Sequence, residues 1–134
     1  MKSSVAPVLC RRPAMNTWFE IVLHGNDPEH LSAAGEAALD EIERIEKLLS
    51  RFDPASEVSR INREAAVPPV LLDIEMTGII ATCQQAWFDT DGYFDITVGS
   101  AGDAGFLNIE FDEEARTIAF RASNIRLDFG GFGK

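Results

Sequence analysis

The sequence predicts an α+β fold in which antiparallel strands pack against two main helices. Two segments carry apolar residues at three- and four-residue steps, as amphipathic helices do. Short segments with alternating apolar and polar residues indicate strands. A length of 134 residues with 46% hydrophobic composition suits one domain with a core of its own. We therefore expect a single folded unit of the α+β class.

The first half of the chain predicts a strand followed by a long helix. Residues 16–24 are rich in β-branched and aromatic types and end at a Gly-Asn turn, which is typical of a strand. The helix should begin at Pro28, because Asp27 can cap it and proline suits the first helical position. Its apolar stripe continues to Phe52, and we expect the following Asp-Pro pair to end it.

The second half predicts two helices and then strands. Residues 56–62 indicate a short helix with a serine cap, and Asp73 can cap the second main helix. That helix should end at Asp91-Gly92, since glycine readily adopts the left-handed conformation. Beyond it, alternation predicts an extended segment at residues 93–99. The alternation further predicts a hairpin from residues 107–111 and 118–120, and one more strand at residues 125–129.

Charge excludes several classes of partner. The chain carries 22 acidic and 12 basic residues, so its net charge is −10. Such a charge repels nucleic-acid phosphates and anionic membrane surfaces. We find no stretch of 18 apolar residues and no readable export signal or lipoprotein motif, so the expected location is the cytoplasm. The two cysteines, Cys10 and Cys83, are far apart and indicate neither a disulfide framework nor a zinc cluster.

Two segments could carry chemistry. The glycine-rich segment from Asp128 to Lys134 follows a predicted strand, and glycines let a backbone approach a phosphate while the lysine balances its charge. A disordered glycine tail is the alternative. In GYFDITVG, Asp95 could accept hydrogen bonds from a ligand, with Tyr93 or Phe94 as a stacking surface. Here the alternative is an aspartate that only caps a turn.

Four motifs in order, MNTWFEI, LLSRFDPASEVSRIN, GYFDITVG and LDFGGFGK, resemble the N-terminal half of the ApbE family, the FAD:protein FMN transferases. The resemblance implies an incomplete, T-fold-like α+β domain at residues 15–134 that binds FAD and stops at the GGFGK motif. Residues 1–14 are then expected to form a flexible N-terminal tail. Family members run to roughly twice this length, and the side-chain carboxylates that complete their magnesium site lie beyond this half.

The resemblance also implies an activity and a set of site residues. Members of the family use FAD as substrate and, with Mg²⁺, move FMN onto a threonine or serine of an acceptor flavoprotein with release of AMP. Carried over by position, the expected contacts to FAD come from Met15, Phe52, Tyr93, Phe94, Asp95, Asp128 and Lys134. The backbone carbonyl of Gly131 would be one magnesium ligand. No catalytic residue is assigned.

Three alternatives remain open at this point. The chain could act as a transferase, or serve as a non-catalytic FAD or nucleotide-binding module, including a half-domain that needs a partner chain. It could also be a fragment with exposed strand edges that associates with itself. Whether it forms a homo-oligomer is likewise left open.

Overall fold

The computed structural model describes residues 6–66, 68–102 and 104–133. The chain divides into two compact units, Met1–Lys47 and Leu48–Lys134. Both contain antiparallel strands and helices, so the predicted α+β class is confirmed.

The first unit contains a two-stranded antiparallel sheet. Strand β1 spans Val8–Ala14 and pairs with strand β2, Thr17–Leu23. The prediction of a tail through residue 14 is therefore wrong for residues 8–14. Two arginines and a proline interrupt the apolar alternation of β1, so the sequence pattern does not predict a strand there. The pairing with β2 determines the conformation of this segment.

Helix α1 spans Pro28–Leu49 and begins where the sequence predicts. Asp27 contributes to its first turn by accepting a hydrogen bond from the backbone N–H of His30 at 3.2 Å. The helix ends three residues before Phe52, which the apolar stripe had included. Beyond Leu49, the carbonyl of Ser50 accepts a hydrogen bond from the Ser56 hydroxyl at 2.5 Å.

The second unit opens with helix α2, Glu57–Glu64, followed by strand β3, Val70–Leu71, and helix α3, Ile74–Asp89. Both predicted helix caps are confirmed. The Ser56 hydroxyl accepts from the backbone N–H of Ser59 at 3.0 Å, and the Asp73 carboxylate accepts from that of Met76 at 2.8 Å. The two-residue strand β3 is too short to leave a periodic signal.

Helix α3 ends as predicted, in a left-handed turn. Asp91 and Gly92 have φ values of 53° and 85°. The N–H of Gly92 donates to the carbonyl of Trp87 at 2.8 Å, and that of Asp91 to the carbonyl of Phe88 at 3.2 Å. This is the Schellman arrangement, and it satisfies carbonyls that the last helical turn leaves open.

A three-stranded antiparallel sheet with the order β3-β5-β4 completes the second unit. Strands β4, Ile109–Asp112, and β5, Thr117–Phe120, form the predicted hairpin. Two predictions are wrong: the segment at residues 93–99, expected to be extended, folds into turns, and the strand expected at residues 125–129 is irregular backbone. A four-residue helix α4, Gly130–Gly133, follows.

The most buried apolar side chains of the second unit come from its helices, its sheet, the residue after β3, the turn at residue 96 and the irregular segment at residues 125–129. They include Val58, Ile61, Leu72, Met76, Ile80, Cys83, Ile96, Ile118, Leu127 and Phe129. Within the described ranges, no helix is long and apolar enough to cross a membrane.

Candidate functional site

An open cleft of about 290 Å³ lies in the second unit. Its walls come from the loop after α1, from α2, from the turn at residue 99 and from the irregular segment that precedes α4. The lining residues are Arg51, Phe52, Pro54, Ser59, Asn62, Arg63, Gly99, Arg126, Leu127 and Asp128. Phe52 and Asp128, two of the residues for which the family resemblance implies contacts to FAD, thus line the same cleft.

Asp128 has a partner for each oxygen of its carboxylate. Oδ1 accepts a hydrogen bond from the backbone N–H of Gly130 at 2.9 Å, and Oδ2 lies 3.2 Å from Nε of Arg51. The first contact is an Asx turn that fixes the start of the glycine segment. The contact with Arg51 holds the loop after α1 next to the glycine segment. Asp128 therefore orders the wall of the cleft.

Phe52 offers a large apolar surface at the rim of this cleft. Its side chain is 80% exposed, which is unusual for phenylalanine. The guanidinium of Arg51 lies 4.4 Å from the centre of its ring, so the arginine covers one face. The other surfaces of the ring stay accessible to a planar ligand.

Asn62 connects α2 to the irregular segment at Leu127. Its side-chain oxygen accepts from the N–H of Leu127 at 2.8 Å, and its amide nitrogen donates to the carbonyl of the same residue at 3.2 Å. Both backbone groups of Leu127 are thereby satisfied without a neighbouring strand. These bonds explain why residues 125–129 adopt no strand, although their apolar residues alternate.

A backbone hydrogen bond brings the aspartate motif to the glycine segment. The N–H of Asp128 donates to the carbonyl of Ile96 at 2.7 Å, so Asp95 lies one residue from this contact. Phe94 is also close, because a Cβ placed on Gly131 would lie 3.6 Å from Cε2 of its ring. The structure therefore brings Phe94, Asp95 and Gly131 near Asp128, and of these four residues Asp128 lines the cleft.

Asp95 stabilises the turn that is found where the sequence predicts an extended segment. Its Oδ1 accepts from the backbone N–H of Thr97 at 2.8 Å and from the Thr97 hydroxyl at 2.6 Å. This is the turn-capping role that the sequence left open as an alternative. Oδ2 has no hydrogen bond within the described part of the chain, so one oxygen remains for a ligand.

Met15 belongs to the other unit and lies in the tight turn between β1 and β2. Met15 and Asn16 have φ values of 50° and 63°, so both central residues of the turn are left-handed, as in type I′ hairpins. Asparagine tolerates this conformation, whereas methionine is strained in it. The backbone N–H of Met15 donates to the Glu46 carboxylate, and Met15 lines a shallow hollow of about 390 Å³.

Two further predicted contacts to FAD are Tyr93 and Lys134. Tyr93 is 95% exposed and is absent from the lining of the cleft. Its backbone N–H donates to the carbonyl of Thr90 at 3.1 Å, so the main chain is ordered there while the ring points to solvent. Lys134 lies outside the described residues.

Magnesium fits the described residues poorly. Gly131 offers a backbone carbonyl, but Mg²⁺ prefers carboxylates together with phosphate oxygens and water. In the portion of the chain that the structure describes, no three histidine, cysteine, aspartate or glutamate side chains are grouped to hold a metal ion. The described residues alone therefore supply no group of carboxylates for Mg²⁺.

The sequence did not single out the polar lining of the cleft. Arg51 and Asn62 lie within the SRFDPASEVSRIN motif, but only their positions in that motif could have indicated them. Arg63 donates to the carbonyl of Pro54 at 2.9 Å. Arg63 and Arg126 leave no signal in the sequence, because their proximity depends on a contact between segments 65 residues apart.

Comparisons of the sequence and of the structure with known proteins match the same group of proteins. The chain is 24% identical over 148 residues to the FAD:protein FMN transferase of Chlamydia pneumoniae, covering 90% of this chain and 46% of that protein. The crystal structure of the ApbE protein from Thermotoga maritima matches 95% of this chain and 48% of its own, with 23% identity and a TM-score of 0.80. The flavin transferase ApbE from Vibrio cholerae matches with 16% identity and a TM-score of 0.71, over 96% of this chain and 49% of its own.

The chain spans about half the length of these proteins. At these identities the two structures show a shared fold. The model of the ApbE family matches residues 15–134, which is nearly the whole chain and covers all four motifs. The chain belongs to the ApbE family.

Proposed function

We propose that the chain binds FAD as part of an FAD:protein FMN transferase, with the cleft of the second unit as the binding site. The observation that carries this proposal is the 2.7 Å hydrogen bond between Asp128 and Ile96, because it brings the aspartate turn to the glycine segment. Aromatic surface and polar anchors then occur side by side, as a flavin nucleotide requires.

The proposed reaction transfers a flavin phosphoryl group to a hydroxyl. The oxygen of an acceptor threonine or serine forms a bond to the phosphorus of the FMN part of FAD. The bond from that phosphorus to the bridging oxygen breaks, and AMP leaves with the bridging oxygen. The hydroxyl proton is released to solvent. Such a transfer depends mainly on positioning and on neutralisation of phosphoryl charge, for which Mg²⁺ is the expected metal.

The described residues serve binding and orientation in this proposal. Phe52 and Phe94 offer ring surface, and Oδ2 of Asp95 can accept a hydrogen bond from the ligand. Asp128 holds Gly130 and Arg51 in place. Met15, Tyr93 and Lys134 remain proposed contacts to FAD, and the carbonyl of Gly131 remains a proposed magnesium ligand. The acceptor is a flavoprotein that presents its hydroxyl to this site.

A calorimetric titration with FAD tests the binding step. We expect saturable binding of FAD to the full chain, and weaker binding by the variant Phe52→Leu, because Phe52 lines the cleft. Phe88→Leu is the matched control, since Phe88 is 68% exposed on α3 and does not line the cleft. Absence of saturable binding at high micromolar FAD, or equal loss in both variants, would contradict the proposed site.

Release of AMP tests the chemical step. The chain is incubated with FAD, Mg²⁺ and a threonine-bearing acceptor, and AMP is followed by chromatography. A transferase produces AMP and flavinylated acceptor in equal amounts.

A second candidate is a module that binds FAD without turnover. It is favoured by the absence of a grouped set of metal ligands among residues 6–66, 68–102 and 104–133. This candidate predicts the same calorimetric binding but no AMP under conditions in which a full-length relative is active. The two measurements together therefore separate the candidates.

A further inference from the structure

The cleft carries more positive charge than the rest of the molecule would suggest. Three arginines, Arg51, Arg63 and Arg126, line it, together with one acid, Asp128. The chain as a whole has a net charge of −10. A concave basic site on an acidic protein concentrates anionic ligands and repels them elsewhere.

Two of these charges are uncompensated. Arg51 lies 3.2 Å from the Asp128 carboxylate, so this pair is close to neutral. Arg63 donates to a backbone carbonyl, which uses one N–H and leaves its charge unbalanced. Arg126 has no side-chain hydrogen bond or ion pair within the described residues. The cleft thus presents two guanidinium charges to a ligand.

The two segments that carry these arginines are held next to each other by the fold. Arg63 directly follows Asn62, and Arg126 directly precedes Leu127. Two hydrogen bonds, of 2.8 and 3.2 Å, join the side-chain amide of Asn62 to the backbone N–H and carbonyl of Leu127. The guanidinium groups are therefore carried on a preorganised pair of segments, which lowers the cost of ordering them around a ligand.

We infer that Arg63 and Arg126 bind the diphosphate group of a nucleotide in this cleft. A diphosphate diester carries two negative charges, which match the two uncompensated guanidiniums, and arginine forms paired hydrogen bonds with phosphate oxygens. This inference deepens the proposed function and rests on it for the identity of FAD as ligand. In this inference, Arg63 and Arg126, which lie outside the glycine segment, make the cleft selective for phosphorylated ligands.

Binding measurements on charge-removing variants test this assignment. Arg63→Gln and Arg126→Gln should each weaken FAD binding by roughly five- to tenfold, as expected for one charge-assisted contact in a partly exposed site. Riboflavin, which lacks phosphate, should bind both variants as it binds the unmodified chain. Arg63→Lys and Arg126→Lys should retain most of the affinity for FAD because they keep the charge.

Arg116→Gln is the matched control, since it removes one positive charge from the exposed β4–β5 turn, outside the cleft. Arginine and glutamine both carry a Cβ, so the positive φ of 56° at this position affects both alike. The control should bind FAD as the unmodified chain does. Circular dichroism confirms that each variant is folded.

ADP and pyrophosphate distinguish this inference from the proposed function. If the chain binds ADP or pyrophosphate with the same dependence on Arg63 and Arg126 but does not bind FAD, the assignment stands and the proposed function fails. If FAD binds and neither glutamine variant weakens it, the assignment is wrong and the proposed function stands. Equal weakening of FAD and riboflavin, or no binding of any of these ligands, overturns the assignment.

Discussion

Asn62 and Leu127 are joined by two hydrogen bonds across 65 residues of sequence, and one side chain thereby replaces a missing strand partner. Leu127 is fully buried, so its backbone N–H and carbonyl would be left without partners if the side-chain amide of Asn62 were removed. Two arginines and Asp128 lie next to this contact. The shape of the cleft therefore depends on Asn62.

Asn62→Ala should lower the free energy of unfolding by about 2 kcal/mol, because it leaves two buried backbone groups unsatisfied. Urea unfolding followed by circular dichroism measures the change. Asn124→Ala is the control: it removes an exposed hydrogen bond to the carbonyl of Ala101 and should cost about 0.5 kcal/mol or less. Equal effects of the two substitutions would contradict this role of Asn62.

Met15→Asn should stabilise the chain by about 0.5–1 kcal/mol, because asparagine tolerates the left-handed conformation better than methionine does. The variant keeps the hydrogen bond that the backbone N–H of residue 15 donates to the Glu46 carboxylate. Asn16→Ala should act in the opposite direction by a similar amount. Thermal unfolding measures both, and a loss of stability in Met15→Asn would show that the methionine side chain stabilises the turn.

Arg12→Gln should lower the unfolding midpoint more than Arg11→Gln does. The Arg12 guanidinium lies 2.7 Å from Asp40, 2.5 Å from Glu36 and 3.2 Å from Glu43, and these acids raise its pKa, with the bond to Asp40 as the largest cause. Without the Arg12 guanidinium, the three acidic side chains of α1 repel one another. Arg11 has one acidic partner, the exposed Glu20 at 3.4 Å, and its guanidinium lies 4.8 Å from the centre of the Trp18 ring.

Salt provides the check on this electrostatic interpretation. The difference between the Arg12→Gln variant and the unmodified chain should shrink between about 50 mM and about 500 mM salt, because screening weakens both the attraction and the repulsion. A difference that does not depend on salt would point to lost packing of the arginine stem instead.

Cys83 should make the chain less stable at alkaline pH. Burial raises the pKa of its thiol from 9.0 to about 12, so the folded state keeps a proton that the unfolded state releases above pH 9. Stability is therefore complete below pH 9 and falls as the pH rises from 9 towards 12. Between pH 8 and pH 10 the loss from this thiol should be about 1 kcal/mol.

Cys83→Val provides the reference, since it lacks the titrating group and nearly conserves volume. Urea midpoints of both proteins at pH 8 and pH 10 give the difference. A parallel decline in the two proteins would mean that other groups cause the alkaline loss.

Local signals allowed the sequence to predict the helices and the hairpin. The caps at Ser56 and Asp73 and the proline at the start of α1 act within a few residues, and all three are observed. The ApbE family was likewise predicted from four motifs and confirmed over residues 15–134.

Non-local pairing explains what the sequence missed. Strand β1 depends on β2, and its turn uses Met-Asn where Asn-Gly would have been the recognisable signal. Residues 125–129 alternate like a strand, but an asparagine side chain takes the hydrogen bonds of Leu127. The arginines of the cleft come together through that same contact, so no spacing rule could have placed them.

An NMR titration of the isotopically labelled chain with FAD tests the central claim most directly. The backbone amides of residues 94–98 and 126–131 should shift together, with one common dissociation constant, because the Asp128–Ile96 contact places both segments at one site. Shifts confined to one segment, or two different dissociation constants, would contradict a shared flavin-nucleotide site.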